Sequence, residues 1–382
     1  MTWQQWLAIG IGAFGCLALV GAVFVWRQAL RVERAREHAI ESAAPLQTPP
    51  VTKGGFPSRA RHPRQIAVVV NPTKEATVEL VETVKTLCSD AGLPEPFIFE
   101  TTAEDTGRGQ AHAAIEKGAD VVCAAGGDGT VRAVASGMIG TGVPMGLLPV
   151  GTANIFARNL DLPLTSVEES MAIVLGGRTR NVDVGWARVI EAAPVHPLDG
   201  AIRRATEGDT QPFLVVTGLG FDATMVAEAD ESLKKHVGWL AYFMAGARHI
   251  HDKRVPATIW LDDDEPVTTN LKSIMVGNCG IIPGGIRLLP EATLDDGELD
   301  VALVDARAGM VGWTQVLGEV VLQRAGIKSG GGRLGRIEHA RTRRTRIRVE
   351  AGELAQVDGE HLGQVVELEC WVQPGALTVR SI

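Results

Sequence analysis

The residues with the clearest capacity for chemistry lie in the run AAGGDGTVRAV, where an apolar stretch ends and a helical pattern begins. Glycines there allow a backbone to approach a phosphate closely, and the free amides at the start of a helix attract anions. Thr130 can cap the helix or donate to a phosphate, whereas the charge of Asp128 repels phosphate and would act through Mg²⁺ or an ordered water. We predict a phosphate-binding turn formed by Gly126, Gly127, Asp128, Gly129 and Thr130. A tight strand-to-helix turn with an Asp cap is the structural alternative.

A second turn of the same kind follows the next apolar stretch, in LPVGTANIFARNL, where Gly151, Thr152 and Asn154 precede a helical pattern. Asn71 ends the first apolar stretch in the same way. Parallel sheets bind ligands at the carboxyl ends of their strands, so these turns would face one ligand. Each turn alone is an ordinary α/β feature, and the three together favour a binding site at one edge of the sheet.

The elements that would position these turns alternate between strand and helix. Short apolar runs predict strands at 66–71, 97–101, 120–125 and 145–149, with helices at 75–91, 109–117 and 131–138. Strict succession of strand and helix implies a parallel sheet with right-handed crossovers. We therefore predict an α/β domain over residues 64–180.

Beyond about residue 181 the pattern changes to short β-like runs separated by Gly, Pro and Asp. This indicates an all-β, antiparallel, sandwich-like second domain over residues 181–367. Helical stretches near 226–248 and 313–323 interrupt it, and 192–211 is expected to form a long hairpin loop. The C-terminal tail, about 368–382, is a candidate to rejoin the first domain.

Residues 1–63 are expected to form a transmembrane anchor and a linker. Residues 6–26 carry no charge, and at ~1.5 Å per residue such a helix reaches ~30 Å, enough to cross a bilayer core. Arginines follow this run and none precedes it, so the positive-inside tendency places the rest of the chain in the cytoplasm. A cleaved signal peptide is the alternative, but it would need a positive segment before the run and a small-residue cleavage site. We predict a single-pass protein of the cell membrane with a cytoplasmic catalytic part.

The composition argues against several classes of protein. The 382 residues carry a formal net charge of -8, whereas nucleic-acid binders usually present a dominant basic field. The five cysteines are far apart and form no CxxC pair, so neither a zinc site nor a disulfide framework is indicated. The most basic stretch, 333–348, is either a surface for anionic lipid headgroups or a solvated strand face.

The GGDGT turn followed by LPVGTANIFARNL resembles the catalytic domain of the diacylglycerol kinase-like lipid kinases, a family that includes bacterial diacylglycerol kinases and sphingosine kinases. TGLGFDA, IIPGGIRLLPEATLDDGELDVALV, VDGE and PGALTV are similar to later motifs of that family, in the same order. The resemblance runs from about Arg64 to the C-terminus. GGDGT alone also occurs in NAD kinases and is similar to the phosphate loop of phosphofructokinases, so the resemblance implies a first domain of that type.

This resemblance implies a nucleotide between the two domains, with the ATP phosphates on the GGDGT turn. Asn71 and Thr101 would lie nearer the other end of the nucleotide. Asp358 and Glu360, in VDGE, are similar to the catalytic carboxylates of the family, and Asp358 would be the general base for the lipid hydroxyl. Some members assign that role to the GGDGT aspartate, here Asp128. Without the resemblance, VDGE would be a hairpin turn.

The resemblance also implies that Asp296, with Asp300, supports a structural Mg²⁺ or an acidic network in LDDGELD. Closely spaced carboxylates repel each other unless a cation or proton intervenes. An exposed acidic turn is the alternative. The chain departs from the pattern at Ile155, where many bacterial members have Asp, and this removes one carboxylate from the expected acidic network.

Together these features predict an ATP- and Mg²⁺-dependent lipid kinase that phosphorylates the hydroxyl of diacylglycerol or a related lipid at the cytoplasmic membrane face. The expected partners are the lipid, the membrane and, by likeness to the family, a second copy in a homodimer. An NAD kinase-like enzyme is an alternative that gives no reason for the anchor. A non-catalytic lipid-binding protein of the same fold is another, which the retained Asp128, Asp358 and Glu360 disfavour.

Overall fold

The computed structural model describes residues 63–72, 76–150, 153–176, 178–194, 205–220, 254–282, 286–287, 289–306 and 335–382. The predicted anchor and the predicted helical stretches at 226–248 and 313–323 lie outside these ranges. Within them, no helix combines the length and the apolar character needed to cross a bilayer.

The first part of the chain confirms the predicted alternation of strand and helix. In chain order its elements are β1 (Ile66–Val70), α1 (Ala76–Asp90), β2 (Phe97–Glu100), α2 (Arg108–Glu116), β3 (Val121–Gly126), α3 (Asp128–Met138), β4 (Met145–Pro149), α4 (Ile155–Asn159) and α5 (Val167–Gly176). The strands pair in parallel in the order β4-β3-β1-β2. Helix α3 begins three residues earlier than predicted, because Gly127 is its N-cap.

This parallel sheet is covered by helices on both faces. Ile66, Val68 and Val70 pack with residues of α1 and α5, while Ala67 and Val69 pack with residues of α2 and α3. Burial on both faces explains why β1 is a continuous apolar run and not an alternating one. Each fully buried Val stabilises the fold by ~1.5–3 kcal/mol.

Helices α2 and α3 approach each other closely at Gly137. A Cβ atom on Gly137 would lie 2.6 Å from the carbonyl oxygen of Arg108, so only glycine lets α3 pack against the start of α2. The contact fixes the first turn of α2 beside the middle of α3, and both elements line the cleft described below.

The second part of the chain is built from antiparallel strands, as predicted. They are β5 (Arg178–Ala192), β6 (Thr210–Phe213), β7 (Val216–Gly220), β8 (Val255–Leu261), β9 (Val267–Leu271), β10 (Ser273–Gly277), β11 (Ile281–Ile282), β12 (Ile286–Arg287), β13 (Leu299–Ala306), β14 (Gly335–Thr342), β15 (Arg344–Val357) and β16 (Glu360–Ser381). The sequence did not predict β9, β11, β12 or β14, and it placed residues 210–211 of β6 in the predicted loop at 192–211. A separate apolar core, which includes Ile259, Ile347 and Leu368, lies among these strands.

Strand β16 joins the two parts of the fold. It pairs antiparallel with β15 and β5, and near its end Val379 pairs in parallel with Met145 of β4. Apart from the separate pair β11 and β12, the described strands of both parts therefore form one hydrogen-bonded sheet, and the turn between β15 and β16 is held by the same strand that contacts the α/β layer.

The arginine-rich strand β15 presents its charges on a solvated face. Arg344, Arg346 and Arg348 form ion pairs with Glu367 or Glu369 on β16. Most of the positive charge on this strand is therefore balanced within the sheet. For the basic stretch 333–348, the described residues favour a solvated strand face over a surface for anionic lipid headgroups.

Candidate active site

The glycine turn joins β3 to α3 and is open at its tip. Gly126 ends the strand, and a Cβ atom there would lie 2.6 Å from the buried side chain of Thr130, so packing alone demands glycine at this position. Gly129, in contrast, is exposed. The first amides of α3 have no partner within their own helix, and they begin at this open turn. The turn can therefore receive an anion near Gly129.

Asp128 connects the glycine turn to the second turn. Its Oδ1 accepts a hydrogen bond from the amide of Ile155 at 2.6 Å, which caps the start of α4 from a neighbouring element. Burial raises the pKa of Asp128, and the backbone amides of residues 154–156 oppose that rise. Whatever its part in chemistry, this carboxylate has a structural function that the sequence did not reveal.

The second turn is held from both ends of the short helix α4. Asn154, its N-cap, is buried and has a left-handed backbone, with φ 43° and ψ 53°. Ile155 is buried in the main apolar core, which gives the departure from the family pattern a packing function. Gly151 and Thr152 lie outside the described residues.

Asn159, at the end of α4, is a structural residue that sequence reasoning missed. Its side-chain amide donates to the carbonyl oxygens of Ile155 at 2.9 Å and Ile281 at 2.8 Å. Its side-chain oxygen accepts from the amide of Ile281 at 2.9 Å. These bonds fasten α4 to β11, so the second turn is tied to the β-rich part of the chain.

Asp358 points into the fold and not into open space. It occupies the turn between β15 and β16 with φ 46°, and its carboxylate accepts the amides of Leu214 at 2.8 Å, Val215 at 2.9 Å and Val216 at 2.9 Å. Burial raises the pKa of Asp358, while the charge of Arg132 and the three amides oppose that rise. A carboxylate offers about four acceptor positions, and three are used here, so this geometry favours a structural role over the predicted role as general base.

Glu360 lies beside the glycine turn. Its side chain is 56% exposed and forms an ion pair with Arg132 of α3, whose side chain is 12% exposed. Its Oε1 lies 3.5 Å from the position that a Cβ atom on Gly129 would take. Of the two acidic residues in VDGE, the structure therefore brings Glu360, and not the carboxylate of Asp358, to the open side of the turn.

A cleft of about 710 Å³ begins at Glu360 and Arg132 and runs between the α/β layer and strands β5 and β6. It is lined by Glu104, Asp105, Thr106, Arg108, Gly109, His112, Arg132, Ala133, Ser136, Trp186, Thr210, Gln211, Pro212 and Glu360. The loop before α2 is shaped by Asp105, whose carboxylate accepts the amides of Gly107 and Gly109. A cavity of this size is within the ordinary range for small-molecule sites.

Asn71 and Thr101 lie at the carboxyl ends of the neighbouring strands β1 and β2. The carbonyl oxygen of Asn71 accepts the hydroxyl of Thr77 at 2.8 Å, and the amide of Thr101 donates to Val70 at 2.9 Å. Both are thus on the strand edge that carries the glycine turn. Their predicted contact with a nucleotide stays a prediction.

The acidic residues Asp296 and Asp300 are accompanied by a guanidinium. Asp296 forms an ion pair with Arg341 and accepts from the hydroxyl of Thr293 and the amide of Glu298. Burial raises the pKa of Asp300 to about 6, while the charge of Arg341 opposes that rise. Across the described ranges no group of three or more His, Cys, Asp or Glu side chains is placed to hold a metal ion. Arg341 therefore supplies a cation to these carboxylates, and the predicted Mg²⁺ site stays a prediction.

Asp183, a buried residue of β5, holds two later turns that the motifs contain. Its carboxylate accepts the amide of Gly297, in LDDGELD, at 2.6 Å and the amide of Gly375, in PGALTV, at 2.7 Å. The only signal in the sequence was an acidic residue inside the apolar run VDVGWARVI. Its function depends on contacts more than a hundred residues away, which local patterns do not show.

Comparison with known proteins identifies the family of this chain. Residues 65–187 match the diacylglycerol kinase catalytic domain, and residues 215–381 match the YegS C-terminal NAD kinase beta sandwich-like domain. A probable lipid kinase YegS-like of Pseudomonas aeruginosa is 31% identical over 271 residues, which cover 70% of this chain and 78% of that protein. The chain belongs to the diacylglycerol kinase and YegS-like family of lipid kinases.

Two other relatives match about half of this chain, which spans only part of their own length, and a solved structure matches most of it. A diacylglycerol kinase of Mycobacterium tuberculosis is 30% identical over 195 residues, which cover 51% of this chain and 58% of that protein. An uncharacterized protein of Synechocystis is 27% identical over 200 residues, 51% of this chain and 40% of that protein. The crystal structure of a putative diacylglycerol kinase from Bacillus anthracis superposes with a TM-score of 0.63 at 20% identity, covering 86% of this chain and 99% of that one. The shared fold confirms the predicted α/β and β-sandwich architecture.

Proposed function

We propose that this lipid kinase transfers the γ-phosphate of ATP to the hydroxyl of diacylglycerol or a closely related lipid at the cytoplasmic membrane face. The observation that carries the proposal is the position of Glu360, an exposed carboxylate 3.5 Å from the space above Gly129, where the free amides of α3 begin. An anion-binding turn and a carboxylate that can accept a proton thus lie side by side. Phosphoryl transfer to an alcohol needs both.

The cleft beside Glu360 is the proposed site of the nucleotide. Its volume of about 710 Å³ suits a ligand of that size, and Arg108, His112 and Arg132 line it with groups that can carry positive charge. The phosphates would point toward the amides of Gly127 to Thr130, where the helix dipole favours negative charge. The base and ribose would lie toward α2 and Trp186.

We assign the general base to Glu360. It would accept the proton of the lipid hydroxyl as the hydroxyl oxygen attacks the γ-phosphorus and the bond to the β-phosphate oxygen breaks. Asp358 and Asp128 would act as positioning residues, because their carboxylates hold the backbone at residues 214–216 and 155. Most of the acceleration in such reactions comes from positioning and charge stabilisation, which suits a rigid, hydrogen-bonded scaffold.

A Mg²⁺ ion accompanying the phosphates fits the acidic groups at the turn. Mg²⁺ in nucleotide sites is usually bound by phosphate oxygens, waters and one or two carboxylates. Asp128, a carboxylate at the start of α3, would hold the ion directly or through a water. When bound, the ion would neutralise the charge that develops on the phosphate oxygens.

Membrane attachment is part of the proposal and depends on the sequence. The uncharged run at 6–26, followed and not preceded by arginines, supports a single-pass anchor with the kinase in the cytoplasm. An anchored kinase would meet lipid hydroxyls without first extracting them from the bilayer. A homodimer stays a prediction.

The test is to incubate the detergent-solubilised full chain with ATP labelled at the γ-phosphate, Mg²⁺ and separate lipids, and then to separate the lipids by chromatography. The panel should contain diacylglycerol, a sphingoid base, a polyprenol and, as a soluble acceptor, NAD. We expect labelled phosphatidic acid. Label in another lipid alone would contradict the choice of diacylglycerol, and label in NAD alone would contradict the assignment as a lipid kinase.

A further inference from the structure

Arg132 is a cation that its ion pair with Glu360 holds beside the glycine turn. It lies four residues after Asp128, one turn into α3, and side chains on a helix lean toward its N-terminus. Its guanidinium pairs with Glu360, whose Oε1 approaches the space above Gly129. The guanidinium therefore lies at the border between the cleft and the open side of the turn.

The charges around this border leave a favourable place for a cation from the protein beside a bound triphosphate. Asp128 and Glu360 both place carboxylates near the start of α3. The helix end supplies only about half a positive charge. A nucleotide triphosphate adds several negative charges, and a protein cation that can turn toward the phosphates would add to the neutralisation that a bound Mg²⁺ supplies.

Arg132 has the position and the chemistry of a cation that can turn toward the phosphates. Its side chain is 12% exposed while that of Glu360 is 56% exposed, so the guanidinium is sheltered and the carboxylate faces solvent. A guanidinium carries five N–H donors in a planar fork that matches phosphate oxygens. Glu360 can be hydrated when the pair opens, because it is already largely in water, which keeps the cost of opening low.

On this basis, and resting on the proposed function, we propose that Arg132 is a positioning residue that exchanges Glu360 for the terminal phosphates of the nucleotide. Before binding, the ion pair holds Glu360 beside the turn. On binding, the guanidinium turns its N–H groups to phosphate oxygens and the Glu360 carboxylate is left to accept a proton. No covalent bond changes in this exchange, and the charge of each side chain is retained.

The test compares nucleotides that differ only in their phosphates. ATP and AMP, each with Mg²⁺, are titrated calorimetrically into the detergent-solubilised full chain of the wild type and of the Arg132→Gln and Arg132→Lys variants. The control is Arg64→Gln, because Arg64 precedes β1 at the opposite end of the parallel strands and its side chain is 90% exposed. Thermal unfolding of each variant reports on the fold.

We expect Arg132→Gln to weaken ATP binding about tenfold or more, as expected for loss of a charged hydrogen bond, and to change AMP binding less than about twofold. Arg132→Lys should recover part of the loss, because it restores the charge without the planar fork. The control should bind both nucleotides like the wild type. The ratio of ATP to AMP affinity is the decisive quantity, since a purely structural role would change both alike.

Two outcomes overturn the exchange. In one, Arg132→Gln leaves ATP affinity unchanged. In the other, it weakens ATP and AMP by the same factor. A wild-type chain that binds no ATP would overturn the exchange and the proposed function together. A wild-type chain that binds ATP with the expected dependence on Arg132, but labels no lipid, would contradict the proposed function and leave the exchange supported.

Discussion

Asn159 allows a sharp test of how the second turn is held, because a nearly isosteric change reverses its hydrogen bonding. Its amide group donates to the carbonyl oxygens of Ile155 and Ile281, and its oxygen accepts from the amide of Ile281. In Asn159→Asp a carboxylate oxygen would face two carbonyl oxygens. In Asn159→Ala the same bonds are lost without a new repulsion.

The magnitudes follow from these three contacts. The two bonds to Ile281 join α4 to β11, and at a net ~1 kcal/mol each their loss in Asn159→Ala should lower the free energy of unfolding by about 2 kcal/mol. Asn159→Asp should cost about 1–2 kcal/mol more at pH 7, because a partly buried charge meets carbonyl oxygens. Below about pH 4 the acid is protonated and regains one donor, so the two variants should become similar.

The assay is denaturant unfolding of the detergent-solubilised full chain, followed by tryptophan fluorescence at pH 7 and near pH 4. Asn270→Asp, at an exposed position in β9, controls for the added charge and should unfold like the wild type. Equal stability of Asn159→Asp and the wild type at pH 7 would refute the reasoning, because it would mean that the amide donors do not connect α4 to β11. If Asn159→Asp were no less stable than Asn159→Ala at pH 7, the argument from repulsion between the carboxylate and the carbonyl oxygens would also be contradicted.

The remaining predictions concern packing at the glycine turn and the acidic network. Gly126→Ala should lower the free energy of unfolding by about 1–3 kcal/mol, because the new Cβ would lie 2.6 Å from the side chain of Thr130. The control is Gly176→Ala, where no atom lies within 4 Å of the new Cβ, and it should be neutral in the same unfolding assay. Burial raises the pKa of Asp300 from 3.8 to about 6, so the folded chain holds a proton that the unfolded chain releases in this range. The contribution of Asp300 to the free energy of unfolding should therefore decrease by about 1–3 kcal/mol as pH rises from about 4 to about 6. Asp300→Asn should remove this pH dependence. An unchanged pH dependence in the variant would refute the role of Asp300.

The fold could be predicted where local patterns decide the structure. The continuous apolar run of β1 reports burial on both faces of a sheet, and strand 145–149 was found with the predicted bounds. The glycine turn was also predictable, because glycine, a polar cap and a helical pattern follow one another in the sequence. The start of α3 was missed by three residues, since the helix begins at Asp128 under an N-cap that is itself glycine.

The different roles of the acidic residues could not be predicted, because contacts between residues far apart in the sequence determine them. Asp358 and Glu360 are two residues apart, yet the left-handed backbone at Asp358 turns its carboxylate toward the amides of residues 214–216, and Glu360 toward the glycine turn. Asn159 and Asp183 carry no motif, and their partners are far along the chain. Local patterns reveal such residues only as polar groups among apolar neighbours.

The central claim is that Glu360 is the base beside the phosphate-binding turn, and a single-turnover measurement of phosphate transfer from ATP to diacylglycerol tests it most directly. We expect Glu360→Gln to slow the transfer step about a hundredfold or more while its thermal unfolding matches the wild type. Glu95→Gln, which changes a largely exposed carboxylate paired with Lys85, should transfer phosphate at the wild-type rate. Wild-type transfer by Glu360→Gln would contradict the account, and the contradiction would be complete if Asp358→Asn abolished transfer without any loss of stability.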